Sequence, residues 1–136
     1  MIKTFRAIPG VENVIFVIHN QLPKIDTRIY FPAGATDVSS PQELAKLDDV
    51  LIVLNKYSWL NLKIISHSDN IGSKTANLKL SKDRADNIYQ NLVNQGIQPD
   101  RLKVIATIQP PPDIIEGQSE RLKRCIRFEL FGINSN

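Results

Sequence analysis

The sequence predicts an α+β fold: a two-layer sandwich whose mixed β-sheet is covered on one face by two long helices, with an extra strand on the N-terminal side. Three observations predict it. Short β-branched and aromatic runs recur along the chain. Two amphipathic stretches lie between such runs and are long enough to cross from one strand to the next. Crossovers of that length imply some parallel pairing, and both helices can sit on one face of the sheet. With 136 residues, 42% hydrophobic and 23% charged, the chain makes one ordinary domain with a single core that needs neither disulfides nor a structural metal.

Residues 11–18, with Val11, Val14, Ile15, Phe16, Val17 and Ile18 after Pro9-Gly10, read as a buried strand. Residues 27–31 form a second strand, stopped by Pro32. The first helix is announced by Ser40-Pro41-Gln42-Glu43, an N-cap hydroxyl, a proline at the first helical position and the acid of a capping box. Leu44, Leu47, Leu51 and Leu54 then give an apolar stripe running to about Tyr57. Residues 60–65 alternate as a strand, and 67–74 read as a polar loop around Gly72. A second helix is expected from Thr75 or Asn77 to Gln95, with Leu78, Ala85, Ile88, Leu92 and Val93 inward and Gly96 closing it. Residues 102–108 are a strand, Pro110-Pro111-Pro112 open an extended loop, and 125–131 make the last strand.

Seventeen Lys and Arg against fourteen Asp and Glu leave a net charge of +3, with the two signs mixed along most of the chain. The local excess at Arg121, Lys123, Arg124 and Arg127 is flanked by Glu120 and Glu129 and reads as a solvated strand face, so nucleic acid is not an expected partner. Its apolar runs fall far short of the roughly 20 residues of a membrane helix, and the first residues lack an export signal. The chain is therefore expected to be either cytosolic or a piece of a longer exported protein. Cys125 stands alone, and with His19 and His67 far apart no metal site is expected. Ser66-His67-Ser68-Asp69 contains the residue types of a hydrolase triad. Neighbours in an extended segment point to alternating sides and cannot relay a proton, so His67 reads as a strand-end side chain bonded at the sheet edge.

The informative segment is Ser66-His67-Ser68-Asp69-Asn70-Ile71-Gly72, followed by Asn77-Leu78-Lys79-Leu80-Ser81-Lys82-Asp83-Arg84-Ala85. It resembles the OmpA-like peptidoglycan-binding domain. That family shows Gly-His-Thr-Asp, a short glycine-containing loop, and then Asn-x-x-Leu-Ser-x-x-Arg-Ala at the start of the second long helix; every fixed position of the second part is matched. The chain has Ser66 for the glycine, Ser68 for the threonine and Ile71 in place of a frequent hydroxyl residue. Near its end, Lys123-Arg124-Cys125-Ile126-Arg127 stands where the family has Asn-Arg-Arg-Val-Glu, and prolines fill the loop 109–118.

The resemblance implies a module without catalysis or cofactor that holds the diaminopimelate residue of the peptidoglycan stem peptide. By this likeness Asp69 meets the ligand ammonium, Arg84 grips its carboxylate, Asn77 supports them and Arg124 takes the place of the family's first arginine. The chemistry is coherent: an amino-acid end group is a zwitterion and needs an acceptor-only anion beside a forked cation. Asn77 and Arg84, two helical turns apart, share one side of the helix, rotated from the core stripe and so expected at its rim. The implied setting is the periplasm, as the cell-wall or outer-membrane anchor of a longer envelope protein with possible protein partners and no membrane insertion by this piece. The alternative is a degenerate OmpA-like fold serving protein–protein assembly without peptidoglycan. Residues 27–131 form the domain and 132–136 a tail. Residues 1–26 are an extension whose Ala7-Ile8-Pro9-Gly10-Val11 weakly resembles the end of a BON module or else adds an edge strand.

Overall fold

The computed structural model describes residues 22–38, 40–68, 71–115, 117 and 119–132. In chain order these give β1 (Ile29–Tyr30), α1 (Pro41–Ala45), α2 (Leu47–Lys56), β2 (Leu60–His67), α3 (Lys74–Asn94), β3 (Leu102–Thr107) and β4 (Cys125–Gly132). The strand expected over 11–18 and the BON-like segment lie outside the described residues.

The strands form one mixed sheet in the order β1-β4-β2-β3. β2 runs parallel to β3 and antiparallel to β4, and β4 is antiparallel to β1. Alternation splits the sheet into two faces. One carries Leu62, Ile64, Ile126 and Phe128, which pack with Val50 and Leu54 of α2 and with Ala85, Ile88 and Leu92 of α3 into the core. The other carries Lys63, Ile65, His67, Arg127 and Glu129, paired across β2 and β4. The two-layer α+β arrangement is therefore as the sequence predicts. No helix among the described residues is long and apolar enough to cross a membrane.

Several elements depart from expectation for local reasons. The first helix is broken at Lys46, where Lys46 N–H bonds to the Glu43 carbonyl and Asp49 N–H to that of Lys46. These tight three-residue turns shift the phase of the stripe. Leu47, Val50 and Leu54 are buried, while Leu44 is 38% exposed. Ser40 does cap α1, accepting from Glu43 N–H at 3.5 Å. Glu43 does not complete the box. Its Oε1 accepts from Tyr30 N–H at 2.8 Å and from Lys46 Nζ at 2.9 Å, so the acid ties the helix to β1 instead.

β1 pairs over two residues, shorter than the 27–31 predicted, since Thr27 turns to Asp49 and Arg28 to Asp113. β2 runs on to His67, two residues past the predicted end. α3 is capped by Ser73, whose hydroxyl accepts from Ala76 N–H at 3.2 Å. Its first turns overhang the end of the sheet, leaving Leu78 47% exposed rather than in the core. At its other end Gly96 N–H bonds to Val93 and Ile97 N–H to Leu92, a Schellman closure that needs Gly96 at φ +103°.

Candidate functional site

β1, β2 and β3 all point the same way, so their C-terminal ends lie at one pole of the sheet, where β4 begins. The described parts of the loops that follow β1, β2 and β3, and the first turns of α3, therefore lie at that pole. In such sheets this is where backbone groups and side chains from different strands can converge on a ligand.

Arg84 leans from α3 back toward the pole, as helical side chains do. It is completely buried, not at the rim. Its Nε donates to the Ala35 carbonyl at 2.7 Å and its Nη2 to that of Pro32 at 3.1 Å. The guanidinium also lies 4.9 Å from the centre of the Phe31 ring. The rim expectation fails because the helix face beside the core stripe is roofed by the 31–38 loop, which approaches near enough for its carbonyls to take up the charge. Asn87, one turn on, donates to the Thr36 carbonyl at 2.7 Å and to Asp37 Oδ1 at 3.0 Å. Arg124 holds the same loop from β4's side, its Nε donating to the Phe31 carbonyl at 3.2 Å. Arg84 and Arg124 are thus brought together on consecutive carbonyls. Beside them a cavity of about 340 Å³ is lined by Tyr30, Phe31, Pro32, Val38, Arg121 and Arg124.

Asn77 sits half-buried at the other loop, its Nδ2 donating to the Ile71 carbonyl at 2.6 Å. It secures the turn that leads into α3. Asp69 lies outside the described residues. Below the loop, Ser81 is fully buried and its hydroxyl lies 3.1 Å from Ser66 Oγ and 3.0 Å from the Ser66 and Thr107 carbonyls. These contacts stitch α3 to the ends of β2 and β3.

Sequence reasoning missed three contributors. Asn87 shares the helix face of Arg84 but belongs to no fixed motif position. Ser81 is in the motif, yet periodicity alone does not mark a serine as core. His67 lies on an interior strand rather than at a sheet edge, 3% exposed. Its Nε2 accepts from Arg127 Nε at 2.9 Å, which places the ring proton on Nδ1, 2.9 Å from the Gln109 carbonyl. Burial lowers the imidazole pKa, an effect that the Gln109 carbonyl opposes and Arg127 reinforces. This ring and the Arg28–Asp113 ion pair at 3.0 Å fasten the proline-rich loop to the second face of the sheet. Cys125, opposite His67 in the ladder, is buried, which pushes its thiol up to about 11.

The same architecture recurs in solved structures. The peptidoglycan-associated lipoprotein from Burkholderia pseudomallei superposes with a TM-score of 0.65 at 19% identity, over 76% of this chain and 89% of that one. The cell wall anchor of the T6SS from Pseudomonas aeruginosa gives 0.61 at 18%, over 77% and 78%. At such identities the likeness concerns the fold. In sequence, outer membrane porin F of Pseudomonas fluorescens is 29% identical over 82 residues, 60% of this chain and 24% of its own length. The chain spans about a quarter of the length of the curated relatives it matches. The OmpA family model matches residues 30–120, which takes in Tyr30 of β1, the helices α1 to α3, β2, β3 and the Asn77 to Ala85 motif, and the chain belongs to the OmpA family.

Proposed function

We propose that this chain is a non-catalytic module that binds peptidoglycan through the diaminopimelate residue of the stem peptide and so anchors a longer envelope protein in the periplasm. The observation that carries the reading is the gathering at one pole of Asn77, bonded to the Ile71 carbonyl, and of Arg84 and Arg124, bonded to the loop after β1. In this reading Asp69 takes the ligand ammonium. Arg84 supplies the positive field for its carboxylate, and its fork, already spent partly on Pro32 and Ala35, fixes the 31–38 loop as the site's wall. Asn77 keeps the 68–73 loop in register with the helix.

Titration with diaminopimelate-containing muropeptide against a lysine-containing control tests the proposal. Wild type is expected to prefer the first, since lysine lacks the second carboxylate, and Asp69→Asn, which loses the partner of an ammonium that both ligands carry, to weaken binding without loss of stability. Equal binding of both muropeptides overturns it.

One observation favours a second reading, in which the fold serves protein–protein assembly and no longer binds peptidoglycan. Arg84 is completely buried and bonded to two loop carbonyls, as a purely structural arginine would be. No binding of either muropeptide by wild type, with a clear fall in melting temperature for Asp69→Asn, would support it.

A further inference from the structure

From Asn87 to Asn94 the helix α3 carries no Lys, Arg, Asp or Glu, in a chain that is 23% charged. Asn87, Gln90, Asn91 and Asn94 stand three or four residues apart and so share one face. Asn91 is half-buried and the other three are exposed. Asparagine is a poor helix former, because its side chain competes for the backbone, so helix stability does not account for this row. The row runs about 10 Å along the helix.

A groove of about 320 Å³ lies along these carboxamides. Val38 and Leu44 line it from the loop after β1 and from α1, and Leu44 is open to solvent there. Among the described lining residues Asp37 is the one that is charged, and its Oδ1 is already held by Asn87 Nδ2 at 3.0 Å. Asp37 and Val38 also line the cavity of about 340 Å³ beside Arg124. The two hollows therefore meet at the loop after β1, and the groove leads away from the pole toward the C-terminal end of α3.

We propose that this groove is a sugar subsite, which takes a neutral N-acetylated hexosamine of the glycan strand whose stem peptide the pole holds. This rests on the peptidoglycan reading and extends it to the carbohydrate. A carboxamide offers a donor and an acceptor together, which matches sugar hydroxyls and the acetamido group alike. The C–H face of a pyranose ring is apolar and suits the side given by Val38 and Leu44. A charged ligand finds no counter-ion along the row. A stem of a few residues, each up to about 3.5 Å long, reaches from the pole into the groove.

The test compares three probes: a sugar-free diaminopimelate stem peptide, the same peptide on its N-acetylglucosaminyl-N-acetylmuramyl disaccharide, and peptide-free chitotetraose. By calorimetric titration, wild type is expected to bind the disaccharide form about tenfold more tightly than the bare peptide, as one or two added hydrogen bonds would give. Chitotetraose is expected to shift the side-chain amide signals of Gln90, Asn91 and Asn94 in NMR spectra. The double variant Gln90→Ala with Asn91→Ala raises helix propensity and should keep its melting temperature. It is expected to lose the advantage of the disaccharide form and to bind the bare peptide as wild type does. Equal wild-type affinity for the two peptide forms overturns the proposal and leaves the peptidoglycan reading standing. An advantage that persists in the double variant also overturns it, since the sugar then lies elsewhere. Amide signals that move with protein concentration and not with sugar give the face to a second copy of the chain and overturn it as well. Should wild type bind neither peptide form, the peptidoglycan reading falls and chitotetraose alone decides the groove: shifts on α3 uphold a sugar site, and their absence overturns it.

Discussion

Replacing Arg84 by alanine removes the donors that hold the Pro32 and Ala35 carbonyls and the cation over Phe31, so it acts on folding as well as on any ligand. Charged hydrogen bonds in a buried setting are strong, and the Ala35 carbonyl loses its Arg84 donor, while that of Pro32 keeps the Ala35 N–H. Arg84→Ala is expected to cost about 2–4 kcal/mol of stability by urea denaturation. Arg84→Lys, which keeps the charge but not the fork, should fall between it and wild type. Equal stability of all three would show that the loop is held by Asn87 and Arg124 instead. His67 gives a pH signature of the opposite kind to a salt-bridged histidine. Its folded-state pKa is lowered, so the unfolded chain takes up a proton first. The contribution of the neutral ring is whole above the ordinary value near 6.5 and is lost as the pH falls through the folded-state value. Stability should therefore decline on acidification below about pH 6.5, and His67→Asn should flatten that decline.

Gly96 sets the length of α3 and the entry to β3. A Cβ there would meet nothing within 4 Å, so the cost of Gly96→Ala is purely the left-handed backbone, about 1–2 kcal/mol, measurable as a shifted urea midpoint at constant m value. This closure was legible in the sequence, as were the Ser40 cap, the inward residues Ala85, Ile88 and Leu92, and the strands 102–108 and 125–131 to within a residue or so. What was not legible depended on long-range partners. The break at Lys46 follows from its ammonium reaching back to the Arg28 carbonyl and Glu43. The exposure of Leu78 follows from where the sheet happens to end. In the candidate site the motif identified Arg84 and Asn77 but not their surroundings, because the carbonyls that bury Arg84 come from a loop some fifty residues earlier in the chain.

At the scale of the molecule, the described core links the inner face of the sheet to α2 and α3, from Ile29 through Val50, Ile64 and Ile88 to Ile126. A chain trimmed to residues 22–132 is expected to unfold in one cooperative urea transition. A non-cooperative melt of the trimmed chain would assign a share of the stability to residues 1–21 or to the tail. The sheet order carries a mechanical consequence. β2 points toward the loops, and β4 returns beside it from Cys125 opposite His67 to Gly132 opposite Leu60, so the chain leaves the sheet at the end remote from the loops. Tension between something grasped by the loops and the chain beyond β4 runs along the strands. The whole β2–β4 ladder then bears the load in shear, every hydrogen bond at once, whereas a sideways pull on the two-residue edge strand β1 would peel its bonds one after another. The domain is strong along one axis and weak across it.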